Sequence, residues 1–265
     1  MQASSLPPNA GIRWVREGWA LFRRQPVAMF TWALTIGFMV LVASQLQPVG
    51  PLLFVVLMPS ITVMTLQACR DIVAGKPVYP LQLFAVLKRP GLARRLLAMG
   101  GAYVALVLAV GMLAFLPFAD TLRDTLEQIS DNDLAPLLVA MRFPIAIFGL
   151  LYVAIAALFW HAPALVAWQG LGLRKALFFS GVACWRNKGA FVVYGLAWFV
   201  IVSALEIAGG LLVEAGLSEN LAGLIQMPFN FLAAAALYCS FYPVYVSIFG
   251  QDAFERPAMA LPERH

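Results

Sequence analysis

The fold is decided where WALFRRQP (19–26) runs directly into VAMFTWALTIGFMVLVASQL (27–46). The second stretch is twenty residues without a charge. A helix rising about 1.5 Å per residue crosses a hydrocarbon layer about 30 Å thick in that length. The first stretch sets two arginines and a proline immediately before the run. The same phrase returns twice, as FAVLKRPG (84–91) and VACWRNKG (182–189). Each copy holds an apolar residue, alanine, any residue, a large apolar residue, Lys or Arg, two looser positions, then Pro or Gly.

Five more apolar runs follow the first. The six together cover approximately 26–46, 49–69, 96–118, 143–169, 190–213 and 222–249. Composition agrees: 62% of the 265 residues are hydrophobic, 12% are charged, and the mean hydropathy is +0.83. Soluble domains carry about 25% charged residues, so lipid must cover much of this surface. The expected fold is all-α, a polytopic membrane protein with six transmembrane helices forming one integral domain over 1–265. The N-terminal stretch MQASSLPPNAGIRWVREGW (1–19) has no apolar core closing on a small-residue cleavage site. The first span is therefore expected to act as an uncleaved signal anchor.

Basic residues set the expected orientation. Sixteen of the eighteen fall on one side of the six spans: Arg13, Arg16, Arg23 and Arg24 before the first; Arg70, Lys76, Lys88, Arg89, Arg94 and Arg95 between the second and third; Arg174, Lys175, Arg186 and Lys188 between the fourth and fifth; Arg256 and Arg264 in the tail. Only Arg123 and Arg142 fall opposite. That pattern places both termini in the cytoplasm of a bacterial inner membrane. Basic residues at membrane edges meet anionic headgroups at about 1 kcal/mol each, so the net charge of +5 calls for lipid partners and no nucleic acid. The opposite side is acidic: ADTLRDTLEQISDND (119–133) has Leu122, Leu126 and Ile129 at helical spacing, as in a short capping helix. Asp131 and Asp133 open like a calcium loop, without the glycine and closing glutamate that such a loop needs.

Each phrase also closes a stretch with interfacial character. Ile12, Val15, Trp19 and Phe22 share one stripe; Pro80 opens a segment carrying Leu81, Phe84 and Leu87; Leu177, Phe178, Val182 and Trp185 form the third. Amphipathic helices of this kind lie in the headgroup layer, and Pro26, Gly91 and Gly189 would turn the chain from lying flat to crossing. The even spans share a proline toward the same end: Pro59, Pro163 and Pro243. An interfacial helix, a span and a kinked return span would then repeat three times, over about 11–70, 80–169 and 172–250, with the acidic loop inserted in the second unit.

The stretches GWALFRRQP (18–26), MPSITVMTLQACRDIVAGKPVYPLQLF (58–84) and HAPALVAWQGLGLRKALFFSGVACWRNKGAF (161–191) resemble an uncharacterised family of six-span bacterial inner-membrane proteins. More distantly, they are similar to the membrane domain of the glycerophosphodiester phosphodiesterases. The resemblance implies a fold and a location. It carries no catalytic assignment, because the soluble phosphodiesterase domain is absent from this sequence.

Polar residues at membrane depth are the candidate site residues. Glu206, in SALEIAGG, lies roughly 10 Å inside the outer end of the fifth span, and Asn230 about 12 Å inside the sixth. Gln226 is one turn from Asn230, and Arg142 stands at the outer edge of the fourth span. Convergence of the four would make Glu206 a proton or cation site with neutral ligands beside it. Alternatively, Glu206 holds two spans together, with Pro228 supplying a freed carbonyl. His161, two residues before Pro163, would donate to a carbonyl freed by the kink, reach Tyr242 or Tyr245, or titrate during transport. Gly209–Gly210 and Gly100–Gly101 suit close helix packing. Three scattered cysteines and two histidines suggest neither disulfide nor metal site, and catalytic and phosphate-cradling motifs are missing. The expected function is a non-enzymatic scaffold or accessory protein without cofactor, with a homo-oligomeric or membrane-protein partner. The alternative is a transporter or lipid-handling protein with its polar site near Glu206 and Asn230.

Overall fold

The computed structural model describes residues 3–128 and 135–250. Its helices are α1 (Ala10–Phe22), α2 (Pro26–Gln45), α3 (Val49–Val73), α4 (Leu92–Phe115), α5 (Ala119–Gln128), α6 (Ala135–Trp160), α7 (Ala162–Gln169), α8 (Leu173–Arg186), α9 (Lys188–Glu214) and α10 (Glu219–Phe249). A 3₁₀ segment, Pro80–Lys88, lies between α3 and α4. Six stretches are long and apolar enough to span a membrane: α2, α3, α4 running on into α5, α6 with α7, α9, and α10. They coincide with the six apolar runs.

The repeated phrase marks where spans begin, with one shift. Pro26 is the first residue of α2, where its missing N–H leaves no bond unmade. Gly91 precedes α4 with φ +70°, a left-handed turn that favours glycine. In the third copy the turn is made by Asn187, and Gly189 is already helical.

α1, the 3₁₀ segment and α8 lie at one end of the spans, the basic face. α1 packs against α9 and α10, the 3₁₀ segment against α2 and α3, and α8 against α6 and α7. Each therefore sits on spans of a hairpin other than the one it leads into, and α1, the first, sits on the last pair. Small residues seat α1. Gly11 meets the backbone of Ala190 and Tyr194, and Gly18 meets Ser240, with no room for a Cβ at either position. Between them Trp14 is fully buried against Phe191 and Tyr194, at centroid distances of 5.3 and 5.8 Å. Its indole N–H donates to Ser247 Oγ at 2.8 Å.

The stripes expected from sequence divide differently in the structure. Phe22 is buried, whereas Ile12 and Trp19 stay 46% and 48% exposed, and Ala10, Gly11, Trp14 and Gly18 form the packed side. Likewise Leu81 and Phe84 are exposed while Leu83 and Val86 are buried. On α8, Phe178 and Trp185 are exposed and Ala176, Ser180 and Ala183 buried. On α1 and α8 small residues share the packed side, with Trp14 and Phe22 buried beside them on α1, whereas the 3₁₀ segment packs through Leu83 and Val86.

The buried core fills the basic half of the spans. It takes the first half of α2 (Met29, Trp32, Ile36), the second half of α3 (Ile61 to Ile72), the start of α4 (Leu96, Met99), α7, the start of α9 (Tyr194, Trp198) and the last turns of α10 (Ala235 to Ile248). At the far end α5 forms as expected, with Leu126 exposed. Ile129, Asp131 and Asp133 lie outside the described residues, as do Arg256 and Arg264.

Candidate functional site

Two amide side chains on the basic face do the same job at two junctions. Asn187, between α8 and α9, is buried; its Nδ2 donates to Ser4 O at 2.9 Å and its Oδ1 accepts from Leu6 N–H at 2.8 Å. Gln25, just before α2, donates from Nε2 to Lys76 O at 2.7 Å and accepts at Oε1 from Val78 N–H at 2.9 Å. Each grips the carbonyl of one residue and the N–H of the residue two positions on, as a neighbouring strand would. Residues 4–6 lead into α1, and residues 76–78 into the 3₁₀ segment. The sequence singled out neither amide, although both lie in copies of the phrase, at the junction of a flat segment with a span.

At Pro163 the fourth span breaks between α6 and α7, where a single kinked helix was expected. Proline has no N–H, and its ring clashes with the carbonyl four residues back. Ser180 of α8 fills the gap. Its hydroxyl donates to Ala157 O at 2.8 Å and accepts the His161 backbone N–H at 2.9 Å, so it is inserted between the two ends of the helical bond in the turn just before Pro163. The His161 ring is buried among Phe191, Tyr245 and Phe249, with centroids 5.9, 6.0 and 5.2 Å away. Its Nε2 has no hydrogen-bond partner among the described residues. By contrast, α3 and α10 continue as helix through Pro59 and Pro243.

The far-side polar residues are only partly brought together. Gln226 Nε2 donates to Leu205 O at 3.3 Å, and its amide fills the space over Gly209, which joins α9 to α10 beside Glu206. Glu206 and Asn230 are both exposed, about 12 Å from Glu214 along α9 and about 16 Å from Glu219 along α10. Arg142 lies over the Phe143 ring of its own helix, 4.6 Å from the centroid, and makes no ion pair with Glu206.

The principal cavities are lined by other residues. One of about 720 Å³ lies between the 3₁₀ segment and α3, with Gln67, Asp71, Lys88 and Arg89 among its walls. A second, of about 400 Å³, is mainly apolar and lies between α3, α4, α6 and α10. Tyr103 and Tyr152 on its wall share a 2.8 Å hydrogen bond between hydroxyls. A third, of about 300 Å³, separates the start of α4 from the loop between α7 and α8. Among the described residues no three metal-ligating side chains cluster. Cys69, Cys184 and Cys239 are buried free thiols, and burial pushes the Cys184 thiol up to about 12.

No family model matches the chain, and no solved structure does. A probable inner membrane protein of Burkholderia thailandensis is 38% identical over 255 residues, covering 94% of this chain and 94% of its own length. The chain belongs to the same family of inner-membrane proteins as that Burkholderia protein.

Proposed function

We propose that the protein is a non-enzymatic scaffold or accessory subunit of the inner membrane, with its basic face in the cytoplasm and its partner on the far halves of α9 and α10. The observation that carries this reading is the outward exposure of Glu206 and Asn230 at membrane depth. A carboxylate or amide facing hydrocarbon is disfavoured, the carboxylate by about 2.5–3.5 kcal/mol at a helix centre. A helix from a partner or from a second copy would cover both. Transport is less well supported, because Glu206, Asn230 and His161 line none of the three principal cavities.

The same reading takes the three hairpins as a cyclic quasi-repeat. Its support is that each flat segment packs on another hairpin's spans, and that Gln25 and Asn187 use one bonding pattern at two junctions. The test is a photo-crosslinking amino acid placed at position 206, and separately at 230, in intact membranes. The expected result is a discrete protein adduct from both, lost in the Glu206→Leu background at position 230. Adducts to lipid alone at both positions would overturn the partner reading.

A further inference from the structure

The third junction of the basic face is built unlike the other two. Where Gln25 and Asn187 close the first and last, the corresponding positions of the middle phrase are Arg89 and Pro90. Arginine offers donors only and the proline side chain offers nothing, so neither can grip a carbonyl and an N–H together. The segment leading into α8 is Gly170–Gly172, and its Gly170 and Leu171 N–H groups both turn back to Leu165 O. In place of a clamp there is the 300 Å³ cavity, lined by Arg95, Ala98, Val166 and residues 170–173.

The lining holds one cation and no acid, and Arg95 makes no ion pair among the described residues. Arg95 is in the first turn of a span, at headgroup level, with Arg174 and Lys175 directly after the lining loop. About 12 Å further along α4, Tyr103 enters the wall of the 400 Å³ apolar cavity, whose other walls include Phe54, Phe159 and Pro163. A cationic pocket at the membrane edge and an apolar one deeper on the same helices have the order of charge and hydrocarbon found in a phospholipid.

We propose that this junction binds one anionic phospholipid, with its phosphate on Arg95 and an acyl chain running between α4 and α7 toward the apolar cavity. The lipid takes the place that an amide clamp fills at the other two junctions. This site is independent of the partner reading, since it lies on other helices and at the opposite membrane edge.

The test is native mass spectrometry of the full chain in detergent, titrated with dioleoylphosphatidylglycerol, dioleoylphosphatidylcholine or inorganic phosphate. The expected result is one tight phosphatidylglycerol per chain, with phosphatidylcholine weaker. Arg95→Gln weakens phosphatidylglycerol about tenfold, the loss of one hydrogen bond to a charged group. Arg94→Gln, one residue away and outside the lining, leaves it unchanged. Gly172→Leu fills the cavity without altering charge. Its backbone is extended at φ −66° and ψ 153°, and a Cβ there meets nothing within 4 Å. This variant is expected to weaken binding as much as Arg95→Gln does. Equal losses from Arg94→Gln and Arg95→Gln, or full binding by Gly172→Leu, would overturn the site. Displacement of the lipid by inorganic phosphate at equal concentration would assign the pocket to a free anion and overturn the lipid.

Discussion

The two halves of the bilayer-spanning bundle are built on different terms. In the basic half several polar groups are paired inside the protein: Trp32 Nε1 donates to Thr65 Oγ1, Tyr194 and Ser240 share a 2.6 Å bond, and Asn187 is satisfied at both ends, although His161 Nε2 and Trp198 Nε1 are buried without a hydrogen-bond partner among the described residues. In the far half the helices are mostly exposed, and Glu206 and Asn230 face outward. A buried polar group must find its partner within the protein, because neither water nor lipid can supply one. That requirement specifies the basic half tightly. The far half, with fewer internal obligations, is free to be completed by lipid or by another helix.

If this contrast is right, stability should respond steeply to changes near the basic face. The largest effect is expected at Trp14. Trp14→Ala removes a fully buried ring and its bond to Ser247, at a cost of about 3–5 kcal/mol by analogy with soluble cores. Thermal unfolding in detergent followed by intrinsic fluorescence would show it, together with faster protease access to α1. A shift below that of an exposed-residue control would break the comparison at its strongest point.

Asn187→Ala comes next. It strands the Leu6 N–H and the Ser4 carbonyl, for about 1–3 kcal/mol. Gln25→Ala, at a more exposed junction, is expected to cost less, on the order of 1 kcal/mol. Proteolysis of the N-terminal segment should rise in Asn187→Ala and stay at the wild-type rate in Gln25→Ala. Ser180→Ala falls between those two at about 1–2 kcal/mol, because it unpairs the His161 N–H and the Ala157 carbonyl at the helix break. Hydrogen exchange at residues 157–161 is the local readout, and unchanged protection there would remove Ser180 from its bridging role.

The spans were legible because an uninterrupted apolar run of about 20 residues has few other readings. The packed face of α1 was not, because a helix between lipid and protein is apolar on both sides. Periodicity selected Ile12, Val15, Trp19 and Phe22, of which Phe22 is buried while Ile12 and Trp19 stay exposed, and the packed side is marked instead by Gly11 and Gly18. The clamps were illegible for another reason. Asn187 grips Ser4 from 183 positions away, and nothing in WRNKG says which backbone will arrive there. Pro163 announced a disturbance but not its repair, which comes from Ser180 on the next helix. Glu206, Asn230, Gln226 and Arg142 were visible as polar residues at depth. Their mutual arrangement was not, since rotation about each helix axis is fixed by packing that a single sequence leaves open.

The smallest effect is expected in the far half, and it is the most discriminating. Leu211 is exposed on α9 beyond Glu206, so Leu211→Ala exchanges one lipid-facing group for another. The change in unfolding free energy should stay within about 0.5 kcal/mol, as for substitutions away from packed features. Glu206→Leu should be as mild for the isolated chain, since the carboxylate has no hydrogen-bond or ion-pair partner among the described residues. In membranes the two should part: Leu211→Ala leaves the crosslinked adduct at position 230 intact, and Glu206→Leu abolishes it. A loss of more than about 2 kcal/mol from Glu206→Leu in purified protein would be of the size expected for breaking a buried polar contact. It would place Glu206 inside the fold's own bonding, and the far half would then be as closed as the basic one.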